Sequence, residues 1–278
     1  VSPDPATSDS QTAPHDVTVD VPDRRQVRVV AHRGSSGLLP EHTIGAYRRA
    51  LEEGADGLEC DVRLTADDRL VCVHDRRIDR TSDGTGIVSA LTFEQLRRQD
   101  FGSWKADGGG PAEVLAFDEL LELAVDCGRR VELAVETKHP TRASGRVELR
   151  TLEALRRFGL LKRPEESPVR IMSFSRLALL RVQRMVPGLP TVFLTEHPLL
   201  SGSGARMPGT ARIAGPGISL VRSRPGWVAR AHRAGYRVHV WTVDRPEDVE
   251  LCLRLGVDTL ITNHPARVLA QLGRGPRA

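Results

Sequence analysis

Val27-Arg28-Val29-Val30-Ala31-His32-Arg33-Gly34 is a short apolar run that ends in an imidazole, a guanidinium and a glycine. Such a run reads as a buried strand that delivers two cationic side chains to its C-terminal end. Three later segments end in the same way: Gly57-Leu58-Glu59-Cys60-Asp61-Val62, Leu70-Val71-Cys72-Val73-His74-Asp75, and Val131-Glu132-Leu133-Ala134-Val135-Glu136-Thr137-Lys138. Strands with polar, titratable tips place a reactive centre on the C-terminal rim of a parallel barrel.

Outward from these segments, strand-like and helix-like patterns alternate. Strands are predicted over 27–32, 57–62, 69–74, 131–136, 169–174, 190–194, 217–220, 237–243 and 257–262, with helices over about 43–53, 117–127, 146–159, 175–186, 225–234, 246–255 and 265–272. Repeated strand–helix–strand units mean a mostly parallel sheet. The expected fold is α/β, a TIM-like (β/α)8 barrel. It is expected to be distorted, because the link from Asp61 to His74 is too short for a crossover helix. Nine predicted strands exceed the eight of such a barrel, and 217–220 is the weakest of them. From about 76 to 116 the alternation breaks into a small insertion after the third strand, where Thr92 and Gln95 are spaced as a capping box. Its aromatics Phe93, Phe101 and Trp104 are expected to pack on the barrel and on one another. The domain expected is 27–272, flanked by a disordered tail over 1–26, rich in Ser, Thr, Pro, Asp and Ala, and a short tail over 273–278.

Composition narrows the classes. The 278 residues carry 40 basic against 36 acidic side chains, a net charge of +4, too mild and scattered for a nucleic-acid partner. Only Lys105, Lys138 and Lys162 are lysines. Cys60, Cys72, Cys127 and Cys252 form no zinc or redox motif and read as buried thiols. No apolar stretch is long enough to span a membrane. The first 23 residues show neither a basic start nor an apolar core, so no signal peptide is read and a cytoplasmic location is expected, Val1 being compatible with a trimmed N-terminus.

Strand parity sharpens the chemistry. Glu59 and Asp61 are two apart and share one face, as do Glu136 and Lys138, with Glu132 on that same face but deeper. Three carboxylates on one rim repel by about 4 kcal/mol per pair at roughly 4 Å and an effective dielectric constant of about 20. One divalent cation relieves that repulsion, and all-oxygen ligands select Mg²⁺ or Ca²⁺ over zinc. A salt-bridge role would account better for any one carboxylate alone, but poorly for three at strand ends. His32 and His74, each beside a charged neighbour, supply a general base and a general acid. With Arg33 and Lys138 as cations on the phosphate oxygens, the set describes phosphodiester cleavage.

These residues carry a family resemblance. His32-Arg33-Gly34, Pro40-Glu41-His42-Thr43, Gly54 to Val62, Val73-His74-Asp75, Arg80-Thr81 and Glu136-Thr137-Lys138 resemble the glycerophosphodiester phosphodiesterase family. Ser173-Phe174-Ser175, Val240-Trp241-Thr242-Val243 and Gly256 to Thr262 agree, so the resemblance runs from about 28 to 268. It implies a small-molecule glycerophosphodiester substrate, hydrolysed to glycerol 3-phosphate and an alcohol. By motif, His32 and His74 are the acid–base pair, and Glu59, Asp61 and Glu136 hold the Mg²⁺ or Ca²⁺. Arg33 and Lys138 bind phosphate, and Trp241 lines the pocket. Both the neighbouring glycerol hydroxyl and water are nucleophiles compatible with that chemistry.

Three positions depart from the family pattern. His42 stands where Asn is usual, Asn263 where Asp is common, and Asp244 where Asn is usual. His42 is expected either to cap the next helix or to tune His32. Three other readings compete: a lysophospholipase D-like or other lipid head-group phosphodiesterase, a non-catalytic binding barrel, and a Schiff-base aldolase or isomerase. The intact His–carboxylate set argues against the binder. Lys138, kept protonated by Glu136, argues against the Schiff base.

Overall fold

A computed structural model describes residues 24–141, 145–196, 207 and 211–275. Eight parallel strands form a closed ring: β1 (Arg28–His32), β2 (Gly57–Leu64), β4 (Glu132–Thr137), β5 (Val169–Ser173), β6 (Thr191–Thr195), β7 (Ile213–Pro216), β8 (Arg237–Val240) and β9 (Thr259–Thr262), β9 closing back on β1. A short strand, β3 (Leu70–Cys72), lies outside the ring and pairs antiparallel with β2. The helices are α1 (Ile44–Glu52), α2 (Phe93–Arg97), α3 (Phe117–Asp126), α4 (Arg146–Arg157), α5 (Arg176–Met185), α6 (Ile218–Ser223), α7 (Gly226–Arg233), α8 (Pro246–Arg254) and α9 (Pro265–Gln271).

Two expectations are corrected. The segment 69–74 is not a stave of the barrel: it folds back as a hairpin on β2, with Val62 opposite Cys72 and Leu64 opposite Leu70. That hairpin needs no crossover helix, which resolves the short link from Asp61 to His74. The strand placed at 217–220 is a helix start. The ring strand is Ile213–Pro216, and α6 begins at Ile218.

Side-chain alternation sorts the barrel into two layers. Leu58, Cys60 and Val62 of β2, Leu133 and Val135 of β4, and Val29 and Ala31 of β1 point outward into the helix layer. Val30, Ala134, Met172, Val192, Leu194, Ile213 and Ile261 fill the barrel interior, with Trp241 packed on top. The insertion forms a third cluster of Val71, Val73, Ile78, Val88, Leu96, Phe101 and Val114, with Phe93 against it. Val71 and Val73 anchor that cluster to β3, so the insertion rides on the hairpin. Its helix α2 carries the expected capping box, Gln95 N–H donating to Thr92 Oγ1 and Thr92 N–H to Gln95 Oε1.

The opposite end of the barrel is closed by ion pairs. Glu132 meets Arg28 at 3.2 Å and Arg170 at 3.4 Å, which makes it a structural group remote from the rim. Arg274 donates to the carbonyl of Val27 and to Asp56 Oδ1, tying the C-terminal segment down. Of the tail expected over 1–26, residues 1–23 lie outside the described residues, and Arg24–Gln26 form a 3-10 turn held by an Arg24–Glu250 pair. No helix among the described residues is long and apolar enough to cross a membrane.

The turn after β1 fixes how the rim is built. Gly34 sits at φ 82°, and a Cβ there would lie 2.6 Å from the carbonyl carbon of Ala46 in α1. Replacing Gly34 with alanine combines a left-handed backbone with a backbone clash. We expect a loss of roughly 1–3 kcal/mol of stability, read as a lowered denaturant midpoint at unchanged slope.

Candidate active site

The C-terminal ends of β1, β2 and β4, with the chain leaving β3, converge on one cavity of about 230 Å³. His32, Arg33, Glu59, His74, Glu136, Lys138 and Trp241 line it. Asp61 lies beneath, 1% exposed, bonded to several of them. All eight side chains singled out from the sequence are therefore brought together.

The carboxylates define the centre. Asp61 and Glu136 are register partners on adjacent parallel strands, so their inward side chains emerge side by side. Glu59, Asp61 and Glu136 offer ligand oxygens that all lie within 4.8 Å of one another. Burial and the nearby Asp61 raise the Glu59 carboxyl well above its ordinary range. The same two causes push Glu136 up to about 7. Asp61 is equally buried, but Lys138, His42 and Arg33 outweigh that burial and hold it well below the ordinary range. Three oxygen-donor groups of this kind, two of them reluctant to ionise, fit a hard divalent cation, which would favour their charged forms.

Two cations face this cluster. Lys138 Nζ lies 3.0 Å from Asp61 Oδ1 and 2.8 Å from Glu136 Oε1. Arg33 Nε lies 3.1 Å from Asp61 Oδ2, while its terminal nitrogen donates to Glu41 at 2.9 Å. Arg33 has a left-handed backbone at φ 57°, uncommon for a residue with a side chain. Its N–H donates to Glu59 Oε2 at 3.0 Å, which fixes that conformation. Arg80 closes the outer side, bonding both Glu41 and Asp75.

The two histidines sit in different surroundings. Burial and the adjacent Arg33 lower His32 to about 3, so the ring is neutral near pH 7. Its Nδ1 lies 2.7 Å from Asn263 Oδ1, an atom that also accepts from Ser36. An amide oxygen can only accept, so Nδ1 carries the proton and Nε2 is left basic, 3.9 Å from Glu59 Oε2. His74 is more open, and burial lowers it less decisively, against the pull of Asp61. Its Nδ1 donates to Asp75 Oδ1 at 2.7 Å, turning Nε2 to the cavity. Arg63, one residue beyond Val62, donates twice to the His74 carbonyl at 3.0 and 2.7 Å and pins the hairpin at that point.

The departures from the family pattern acquire physical content. His42 does not cap α1; Thr43 does, accepting from Ala46 N. His42 is buried, its Nε2 at 2.9 Å from Asp61 Oδ2 and its Nδ1 at 2.8 Å from the Tyr47 hydroxyl, which donates to the Glu59 carbonyl. His42 thus orients Asp61, and its charge acts on His32 only as the smallest contribution. The other two departures are one exchange. Asp244 accepts from the Asn263 side chain at 2.7 Å and from its backbone at 2.8 Å. Carboxylate and amide have traded places, and the amide faces His32.

Phe174 and Asn263 are among the site residues to which sequence reasoning assigned no role. Phe174 packs edge-on against Trp241 with centroids 5.5 Å apart, and Trp241 Nε1 donates to the Gly215 carbonyl. Ser173-Phe174-Ser175 follows directly from a strand, which was the available signal.

A closed eight-stranded barrel that gathers histidines, carboxylates and basic side chains at its C-terminal rim has the architecture of a (β/α)8 enzyme. Comparison with known proteins narrows the class. The model of the glycerophosphoryl diester phosphodiesterase family matches residues 32–267, and the chain belongs to that family. It is 45% identical over 254 residues to the "Probable glycerophosphodiester phosphodiesterase 1" of Mycobacterium tuberculosis, covering 89% of this chain and 93% of that one. It is 34% identical to the glycerophosphodiester phosphodiesterase of Bacillus subtilis, covering 88% and 85%. Among solved structures, a glycerophosphodiester phosphodiesterase from Agrobacterium tumefaciens superposes with a TM-score of 0.72 at 25% identity, covering 88% of this chain and 99% of that one. An Oleispira antarctica phosphodiesterase, solved with the product sn-glycerol-3-phosphate, shares the fold at a TM-score of 0.77 and 23% identity over 90% and 98% of the two chains.

The Asp244–Asn263 exchange has a direct test. In the double variant Asp244→Asn/Asn263→Asp, a carboxylate replaces the amide on His32 Nδ1 and stabilises the imidazolium. Histidine NMR titration of the metal-free protein should then show the His32 pKa raised by about one to three pH units. Asn263→Asp alone sets two carboxylates against each other and should lose stability that the double variant regains.

Proposed function

We propose that this phosphodiesterase hydrolyses soluble glycerophosphodiesters to glycerol 3-phosphate and an alcohol, using one divalent cation, Mg²⁺ or Ca²⁺, held by Glu59, Asp61 and Glu136. The observation that carries this reading is the convergence of those three oxygen sets with both histidines on one small cavity. When bound, the cation supplies charge for the phosphate oxygens and lowers the barrier to forming their more negative transition state.

The chain's own residues take the remaining roles. His32, neutral with Nε2 free, removes the proton of the attacking hydroxyl or water. His74, whose Nε2 faces the cavity and whose Nδ1–H is held by Asp75, gives a proton to the departing oxygen. Arg33 and Lys138 balance two of the three carboxylate charges, so the cation leaves the centre positive enough to attract a phosphodiester monoanion. Trp241, braced by Phe174, forms an apolar wall for the glycerol carbons. A lipid substrate would need an apolar path away from the mouth. Phe93 and Phe101 are instead spent in the insertion's own cluster, whereas Trp104, against expectation, is exposed and Phe174 keeps 46% of its surface open while it leans on Trp241.

Metal binding is expected to depend on pH through Glu136. Its carboxyl, raised to about 7, must lose its proton to become a ligand. Affinity for Mg²⁺ or Ca²⁺, measured by calorimetry, should therefore fall as pH drops through about 7, with protons released on binding. A pH-independent affinity would remove Glu136 from the ligand set.

Activity is tested by release of glycerol 3-phosphate from glycerophosphocholine, glycerophosphoethanolamine, glycerophosphoglycerol and lysophosphatidylcholine, with and without EDTA. A soluble diester should exceed the lysophospholipid by at least about tenfold in kcat/KM, on the order of 1.4 kcal/mol. Chelation should abolish turnover. His32→Ala and His74→Ala should each lower kcat by about 10² to 10⁴. Near-wild-type kcat in either variant would make that histidine structural.

A further inference from the structure

Two further cavities lie beyond the catalytic one on the side of His74. One, of about 260 Å³, shares His74, Glu136, Lys138 and Phe174 with it and adds Arg63, Arg76 and Thr137. The next, of about 370 Å³, shares Arg63 and Arg76 with the second and adds Arg146 at its outer end. Through these shared walls the three cavities lie in series from the site outward on the side of His74. His32 and Trp241 line only the first.

The charge along this path is one-sided. Asp75 is claimed by His74 and Arg80, and Glu136 by Lys138. Asp68, in the outermost cavity, is claimed by both Arg146 and Arg150. Arg63 and Arg76, by contrast, form no ion pair among the described residues. Arg63 spends two donors on the His74 carbonyl, and Arg76 is exposed. Thr137, whose buried hydroxyl shares the outward parity of Leu133 and Val135, contributes no donor to the middle cavity. A pair of arginines with no carboxylate within ion-pair distance, bordering the same cavity, suits an anion with several acceptor oxygens.

We infer that this path is a leaving-group subsite for an alcohol that itself carries a phosphate, held by Arg63 and Arg76. The inference rests on the proposed reaction, in which His74 protonates the departing oxygen: the group beyond that oxygen must then lie on the His74 side. The enzyme would favour glycerophosphodiesters whose alcohol bears a second negative charge over those whose alcohol is neutral or cationic.

The test compares bis(glycerophospho)glycerol, whose leaving alcohol carries a second phosphodiester, with glycerophosphoglycerol, whose leaving alcohol is uncharged glycerol. Both are assayed at low ionic strength with saturating Mg²⁺, counting rates per scissile bond. The wild type should prefer the doubly charged substrate by roughly tenfold in kcat/KM, the scale of a charge-assisted contact. Arg76→Ala should bring that ratio close to one, and Arg76→Glu should invert it. The preference should also shrink at about 0.5 M salt, because the Arg76 end of the path is open to screening. Arg184→Ala, on the remote face of α5, should leave the ratio as in the wild type. Arg76 is chosen over Arg63 because its side chain supports no part of the fold. A wild-type ratio near one, or a ratio that Arg76→Glu does not move, overturns the subsite while leaving the proposed reaction standing. Failure to cleave either substrate overturns the reaction itself.

Discussion

Three carboxylates buried at adjacent strand ends are the constraint around which the rest of the site is organised. Parallel register places Asp61 beside Glu136, and the two-residue period of β2 places Glu59 on the same face. Nothing in the backbone can relax that geometry, so compensation must come from side chains. Lys138 enters between Asp61 and Glu136, Arg33 bends into a left-handed conformation to reach Asp61, and His42 closes its last side. Even so, two of the three acids remain raised above their ordinary range. A folded barrel that keeps such a cluster is poised to bind cations, because every ion that enters recovers repulsion already built in by folding.

Much of this was legible from strand parity alone. Polar residues at positions i and i+2 at the end of an otherwise apolar run can only point the same way, and β1, β2 and β4 obey that rule. Parity says nothing about strand direction, which is why His74 was assigned to a stave when it belongs to an antiparallel return. The hint was present in chain length: the six residues 63–68 cannot both leave a parallel strand and re-enter beside it. The sixth ring strand, β7, escaped the pattern for a different reason. Ile213-Ala214-Gly215-Pro216 carries a glycine and a proline, residues that ordinarily punctuate strands, so the apolar Ile218-Ser219-Leu220 beyond them looked the better strand. In the fold, Gly215 is needed because a Cβ there would lie 2.7 Å from Leu194, and Pro216 sits at the strand end.

Relations between distant residues were the part that no local pattern could supply. Asn263 and Asp244 each looked like an isolated departure, 19 positions apart. Only the fold shows them to be partners whose exchange conserves one amide and one carboxylate. The exchange is not neutral for the site. An amide on Nδ1 fixes the tautomer of His32 as a carboxylate would, but without favouring the imidazolium. His32 therefore stays neutral and basic in a buried position next to Arg33, where protonation would otherwise need an anionic partner.

The division between ring and hairpin also divides the labour of recognition. His32, Glu59, Asp61 and Glu136 all stand on ring strands, and Trp241 packs on the barrel interior. His74 and Arg76 stand instead on the chain leaving β3, which packs on the insertion's separate apolar cluster. The double hydrogen bond from Arg63 to the His74 carbonyl joins the antiparallel β2–β3 pairing in linking these two parts. In the proposed reaction the ring residues would hold the phosphate and the glycerol side, which any glycerophosphodiester presents identically. The half of the substrate that varies is met by a hairpin with its own core, whose shape can differ without disturbing the carboxylate cluster. The charge left unpaired on that hairpin is accordingly where selectivity among alcohols should reside.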